Sequence, residues 1–474
     1  MRHISLSATL IITISTYAAH ANLTTRSVPH YEDANFLVSR DNDLCKLERS
    51  ALKQRYPIAH ETLEKFLGEK LEPQAVPTIG ISCSGGGVRA AIAMLGLLRG
   101  LDRINLLNAV TYCSTLSGST WTTASWFIHN MPLPKLTEYL KEKTSHTFDS
   151  AYVDEVAIIQ ALSNKKKKGR ILSTTDIWGG LVADSFLSTF KEPGQYYLLT
   201  DLQQQSLNGS FPIPIFTAVI GETDPRYEWV EMTPFSVGST FLSAWINPHA
   251  LGRKFAKGAS FDQDQEESLS YVLGAASSAY ALSGLDIVKA ISKKLDIDCC
   301  FSIITELCGA CCSNTRFTKP EIYNFVYGIN GCPLSDLKKI TLVDAGFAFF
   351  HPLPPLLRRH TAIYIICDVA KAKEGIGKSL ARAATYAQDH KYPFPPINYA
   401  ELGKYPLSVF ADPKNKDCPV VIYIPNLSEF PTLKFAYSSA EFDQIMGGIE
   451  NAVIDNSKLI ENALRIKIKQ LITK

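Results

Sequence analysis

Two strand-to-helix turns, one helix apart within residues 76–126, constrain this chain more than any other feature of its sequence. The first leaves an apolar strand, Val76 to Ile81, through the run Ser84-Gly85-Gly86-Gly87 and enters a helix with Arg89 in its first turn. The second leaves the short strand Val110-Thr111-Tyr112-Cys113 through Thr115-Leu116-Ser117-Gly118-Ser119 and enters another helix. Consecutive glycines permit positive φ and leave backbone N–H groups bare, so several donors can aim at one point. At a helix N-terminus those donors also carry the positive end of the helix dipole, which favours a developing anion. A serine on a sharp strand-to-helix turn stands out from the sheet edge, where a substrate can reach its Oγ. Side by side, the turns would form an oxyanion hole and a nucleophile. Taken singly they say little: a GGG is more often a phosphate cradle or a loop, and an SGS is usually only a turn.

Composition narrows the class. With 46% hydrophobic residues, 20% charged and a formal charge of +2, the chain reads as globular and not as a nucleic-acid binder. Its 474 residues suggest about three domains by length, although large α/β enzymes often form one unit. Residues 1–21 have a secretory pattern: Arg2 and His3, a largely apolar Ile4 to Tyr17, then small residues at Ala19-His20-Ala21. The expectation is a cleaved signal and a secreted or periplasmic protein; the alternative is an uncleaved membrane anchor. No later stretch is long and apolar enough to span a bilayer. Of eleven cysteines, Cys83 and Cys113 end core strands and read as buried thiols. The run Cys299, Cys300, Cys308, Cys311, Cys312 reads as a local disulfide knot, with a metal cluster a distant second.

In chain order, residues 22–71 read as a polar lead-in and a helix, Ala51 to Phe66, and residues 72–474 as the main domain. Four lysines at Asn164–Arg170 suggest a solvated turn, or a patch drawn to anionic headgroups. Residues 211–235 suggest two strands joined at Asp224-Pro225, and Leu269 to Ala290 an apolar helix. Ile340 to Val343 is a short buried strand ending at Asp344; Ala362 to Cys367 and Val420 to Ile424 are two more. The chain closes in a helical pattern from Ser439 to about Leu471. Alternating strands and helices predict an α/β sheet protein.

A serine hydroxyl needs a base within hydrogen-bond reach. Histidine is the usual partner, and His351 and His129 are available, though neither falls at a strand end. A buried carboxylate with a raised pKa can serve instead, and Asp344 ends a strand, where ligand chemistry gathers in open α/β sheets. Most Asp-x-Gly segments merely cap a turn, however, and local sequence does not separate dyad from triad.

Six motifs in order settle the resemblance: SGGGVRA at 84–90, LSGSTW at 116–121, TDIWG at 175–179, WVEMTPFSVGS at 229–239, VDAGFAFFHPLPPLLR at 343–358 and PTLKFAY at 431–437. Over about residues 72–470 the chain resembles the catalytic domain of the cytosolic phospholipase A2 and lysophospholipase (phospholipase B) family, cousins of the patatin-like lipases. The resemblance implies a three-layer α/β domain with a central mixed sheet. It implies Ser117 as nucleophile, Asp344 as its activating aspartate without histidine, and Gly86 and Gly87 as oxyanion-hole residues. Arg89 would steady the substrate phosphate, and no metal or cofactor would be needed. The partners implied are a phospholipid or lysophospholipid and, peripherally, a membrane surface.

Three departures stand out. Thr115 replaces the family's usual glycine in the nucleophile turn; no calcium-dependent targeting domain is expected upstream; and residues 295–320, rich in cysteine, suggest an insertion serving as a lid. The leading expectation is a secreted phospholipase or lysophospholipase. A general lipase or acyltransferase with the same dyad, and a non-catalytic lipid-binding relative, are the alternatives; a cysteine-based redox or adhesion module ranks last.

Overall fold

In the computed structural model the described residues are 35–149, 151–190, 192–279, 320–370, 375–432 and 434–472. Five apolar runs form strands buried at every position: β1 (Ile79–Cys83), β2 (Val110–Thr115), β3 (Ile213–Ile220), β11 (Ile363–Asp368) and β13 (Val420–Pro425). They lie parallel in the order β13-β11-β1-β2-β3. Continuous apolar runs are what parallel strands covered on both faces require. Antiparallel strands extend the sheet: β12 (Ser408–Phe410) on one side, and β4 (Trp229–Met232), β5 (Val237–Ser239) and β6 (Ala244–Ile246) on the other. The pair β7 (Phe255–Ala256) and β8 (Ala259–Ser260) forms a separate ribbon. Finally, β9 (Glu321–Tyr323) pairs with β10 (Lys339–Asp344), which joins β3. The result is the α/β architecture with a central mixed sheet that the resemblance implies.

Alternate residues serve opposite faces. On β11, Ile363, Ile365 and Cys367 enter one apolar core while Tyr364 and Ile366 enter the other. The helices covering these faces are α1 (Lys46–Leu67), α2 (Val88–Arg103), α3 (Gly118–His129), α4 (Leu133–Ser145), α5 (Glu155–Lys167), α6 (Thr174–Leu187), α7 (Gln203–Leu207), α8 (Leu269–Ala276), α9 (Pro354–Arg358), α10 (Lys378–Asp389), α11 (Ser439–Asp455) and α12 (Ser457–Ile472). The closing helical pattern is thus two helices, broken at Asn456. No helix among the described residues is long and apolar enough to cross a membrane.

One register decides where the site lies. Along β3, Thr115 of β2 pairs with Phe216, and Asp344 of β10 pairs with Ala218. Both β2 and β10 must use the same edge, because β4 pairs with residues 216–219 on the other. Running in opposite directions, β2 and β10 therefore meet end to end. Their last residues stand opposite positions two apart on β3, about 7 Å of strand. A chain separation of more than two hundred residues closes to neighbouring turns.

Two motifs meet away from this point. Arg359 donates to Glu48 at 2.7 Å and to Glu231 at 2.6 Å, with Arg358 3.2 Å from the same Glu231 oxygen. This buried group ties α1, β4 and the end of α9 together. Two expectations change. The lysine run is solvated at Lys166, Lys167 and Lys168, as expected, but its first three lysines end α5 and Lys165 turns inward, largely buried between Asp176 at 2.5 Å and Glu267 at 3.0 Å. An amphipathic helix face turned that lysine inward, where two carboxylates offset its desolvation. The apolar helix begins at Leu269 as expected but ends at Ala276, and the cysteine run from Cys299 to Cys312 lies outside the described residues. Removing the guanidinium in Arg359→Ala leaves buried Glu48 without its cation and Glu231 with Arg358 alone, an expected loss of about 3–5 kcal/mol measurable by urea denaturation.

Candidate active site

Ser117 closes β2 and caps α3 with φ 52° and ψ −129°, a left-sided conformation that a non-glycine residue adopts at a cost of about 1–3 kcal/mol. Its surroundings hold it there. Ser119 Oγ accepts from Leu116 N at 3.0 Å and lies 2.8 Å from the Leu116 carbonyl and 2.9 Å from that of Cys83. Thr120 Oγ1 donates to the Ser117 carbonyl at 2.5 Å. The Ser117 amide donates to the Ala276 carbonyl at the end of α8, 3.0 Å away. Thr115 fits inside the sheet, its hydroxyl 3.4 Å from the Ile215 carbonyl and its own carbonyl accepting from Thr217 at 2.9 Å.

The glycine turn lies against this elbow because β1 and β2 are neighbours, with Cys83 opposite Thr115. Contact is backbone to backbone: a Cβ on Gly118 would stand 1.8 Å from the Gly87 carbonyl oxygen. Gly86 and Gly87 have φ of 149° and 62°. Among the described residues, no group accepts a hydrogen bond from either of their amides. Two bare N–H groups beside a strained serine are what a developing oxyanion needs.

Asp344 is 2% exposed. Its carboxylate accepts from Gly346 N at 2.7 Å. Burial pushes its pKa from 3.8 up to about 6, opposed by the Gly346 amide and by the Ser117 hydroxyl. The structure thus brings Ser117, Asp344, Gly86 and Gly87 together. The two histidines go elsewhere: His129 Nε2 lies 3.1 Å from the Phe186 carbonyl, and buried His351 lies 3.4 Å from Asp368. Arg89 is near the glycines but turned to protein acceptors: the carbonyls of Phe430 and Val369 and the Thr432 hydroxyl. The elbow's supports Ser119 and Ala276 were not singled out from sequence. Ser119 could have been, since a serine three residues after Leu116 is a local turn signal; Ala276 acts through its carbonyl, which no residue type announces.

The raised carboxyl has a consequence for stability. The folded state holds this proton more tightly than the unfolded chain, so stability falls as pH rises from about 4 to about 6 and stays lower above that. For a shift from 3.8 to about 6 the loss is about 3 kcal/mol at neutral pH. Asp344→Asn is therefore expected to stabilise the fold by about 1–3 kcal/mol at pH 8 in urea denaturation, with the gain gone at pH 4. A destabilised variant at pH 8 would contradict this.

Comparison with known proteins bears on the family and the fold. Residues 79–386 match the family described as the lysophospholipase catalytic domain. Cytosolic phospholipase A2 zeta of Mus musculus is 24% identical over 90% of this chain and 62% of its own length. Cytosolic phospholipase A2 epsilon of Homo sapiens is 23% identical over 90% and 60%. The chain thus spans about three fifths of the length of these relatives. Among solved structures, human GIVD cytosolic phospholipase A2 has a TM-score of 0.79 at 21% identity, over 91% of this chain and 66% of that one, which shows the fold. The same human protein has been solved with methyl gamma-linolenyl fluorophosphonate, TM-score 0.71. These relatives correct one expectation. Export, read from residues 1–21, is overturned, because relatives matching nine tenths of the chain are named cytosolic.

Proposed function

This chain belongs to the lysophospholipase catalytic domain family, and on that premise we propose that it hydrolyses fatty acyl esters of glycerophospholipids or lysophospholipids through a Ser117–Asp344 dyad. The observation that carries this reading is the end-to-end meeting of β2 and β10, which sets a buried carboxylate of pKa about 6 beside a strained serine. A base titrating near neutrality is suited to general-base work.

The Asp344 carboxylate takes the Ser117 proton as Oγ attacks the ester carbonyl carbon. The Gly86 and Gly87 amides receive the negative charge that develops on the carbonyl oxygen. Collapse expels the glycerol oxygen, which takes the proton from Asp344 and leaves Ser117 acylated. Water then gives its proton to Asp344 and attacks the acyl carbon; collapse frees the fatty acid and returns the proton to Ser117 Oγ. The lipid would be met at a membrane surface.

The test is fatty-acid release from phosphatidylcholine and lysophosphatidylcholine in EDTA. Ser117→Ala and Asp344→Asn, both shown to fold, should each lose roughly 10³-fold or more in kcat. Ser117→Ala with full activity would defeat the assignment, and a wild type silent on both lipids that still binds vesicles would favour the non-catalytic reading. Because Asp344 works as the ionised form, wild-type kcat/KM should rise with pH through an acid limb near 6. An acid limb near 4 would mean that another group sets the rate.

A further inference from the structure

We propose that Arg89 is a positioning residue that clamps the glycine turn, and that it does not hold the substrate phosphate. The inference rests on Gly86 and Gly87 being the oxyanion donors. Arg89 is 1% exposed. Its Nη1 donates to the Phe430 carbonyl. Its Nη2 donates to the Val369 carbonyl at 2.9 Å and to Thr432 Oγ1 at 3.1 Å. A guanidinium grips phosphate with two parallel N–H groups, from Nη1 with Nη2 or from Nε with Nη2. Both grips need Nη2, and both of its hydrogens are engaged. Nε alone has no partner among the described residues, and one buried N–H makes no fork.

What Arg89 holds is the frame of the oxyanion donors. The turn after β11 grips both flanks of the glycines: Ser84 N donates to the Cys367 carbonyl at 3.1 Å, and Val369 N donates to Ser84 Oγ at 2.7 Å. On the far flank Arg89 returns to Val369 through its carbonyl. The strand end is itself fixed, since Asp368 accepts from Tyr423 Oη and from Ala370 N at 2.9 Å. Arg89 also draws in residues 430–432, whose Thr432 carbonyl stands 3.0 Å from where a Gly87 Cβ would be. The glycines are thus held from two sides by one side chain. Donors to an oxyanion act only when held within tenths of an ångström, so loosening this clamp should slow the chemistry of any ester.

The experiment separates clamp from phosphate ligand by changing the substrate. Arg89→Lys and Arg89→Gln are assayed on lysophosphatidylcholine and on monoacylglycerol, an ester of the same alcohol without phosphate, with rates expressed per site titrated by a fluorophosphonate. The expected result is a fall in kcat of roughly 10²-fold on both esters, with KM within about threefold and fluorophosphonate labelling slowed alike. A loss confined to the phosphate-bearing ester and carried by KM overturns the proposal. Should the Arg89 variants fail to fold, Thr432→Val removes one acceptor of the clamp; it should lower kcat about three- to tenfold on both esters, and no change on either overturns the proposal. Retained activity in Ser117→Ala would instead defeat the catalytic reading itself.

Discussion

The approach of Gly118 to the Gly87 carbonyl, closer than any side chain would permit, sets the geometry on which the rest of the site depends. It exists because β1 and β2 are adjacent, parallel and in register to their last residues, so both turns leave the sheet at one height. Two helix N-termini then converge on one volume. Lengthening either strand by a residue would flip its turn to the opposite face of the sheet and dissolve the site.

A carboxylate serving without histidine needs burial strong enough to hold its pKa near neutrality, and that burial works against the fold. The strained φ of Ser117 adds to the load. The surrounding structure offsets both: strands buried on two faces, an elbow pinned by Ser119, Thr120 and Ala276, and a buried Arg359 group bracing the sheet. Stability and reactivity are set against each other at two adjacent residues, and the large core carries the difference.

Much of this was legible in the sequence. The apolar runs at 76–81, 362–367 and 420–424 and the two within 211–235 read as strands, and β1, β11, β13, β3 and β4 fall on them within a few residues, because a parallel sheet that buries both faces leaves such runs in the sequence. Ser117 and the glycines were legible because strand-to-helix turns have local signatures. The lysine run was legible as solvated at Lys166 to Lys168, but Lys165 was missed, because helical phase sends it inward to Asp176 and Glu267. From its own neighbourhood Asp344 was legible only as a residue at a strand end, and it was the resemblance that named it as the base. Nothing near it says that β10 runs antiparallel to β3 and stops two positions beyond β2.

The sequence by itself therefore determined the α/β class, the two turns and the residue types able to carry acyl transfer, since each depends on local periodicity and on backbone freedom at a few glycines. Only the tertiary structure decided which carboxyl meets the serine, that His351 faces Asp368, and that Arg89 is bound by residues 369 and 430–432. Those outcomes depend on strand register and on contacts between residues hundreds of positions apart, and a local pattern carries no record of either.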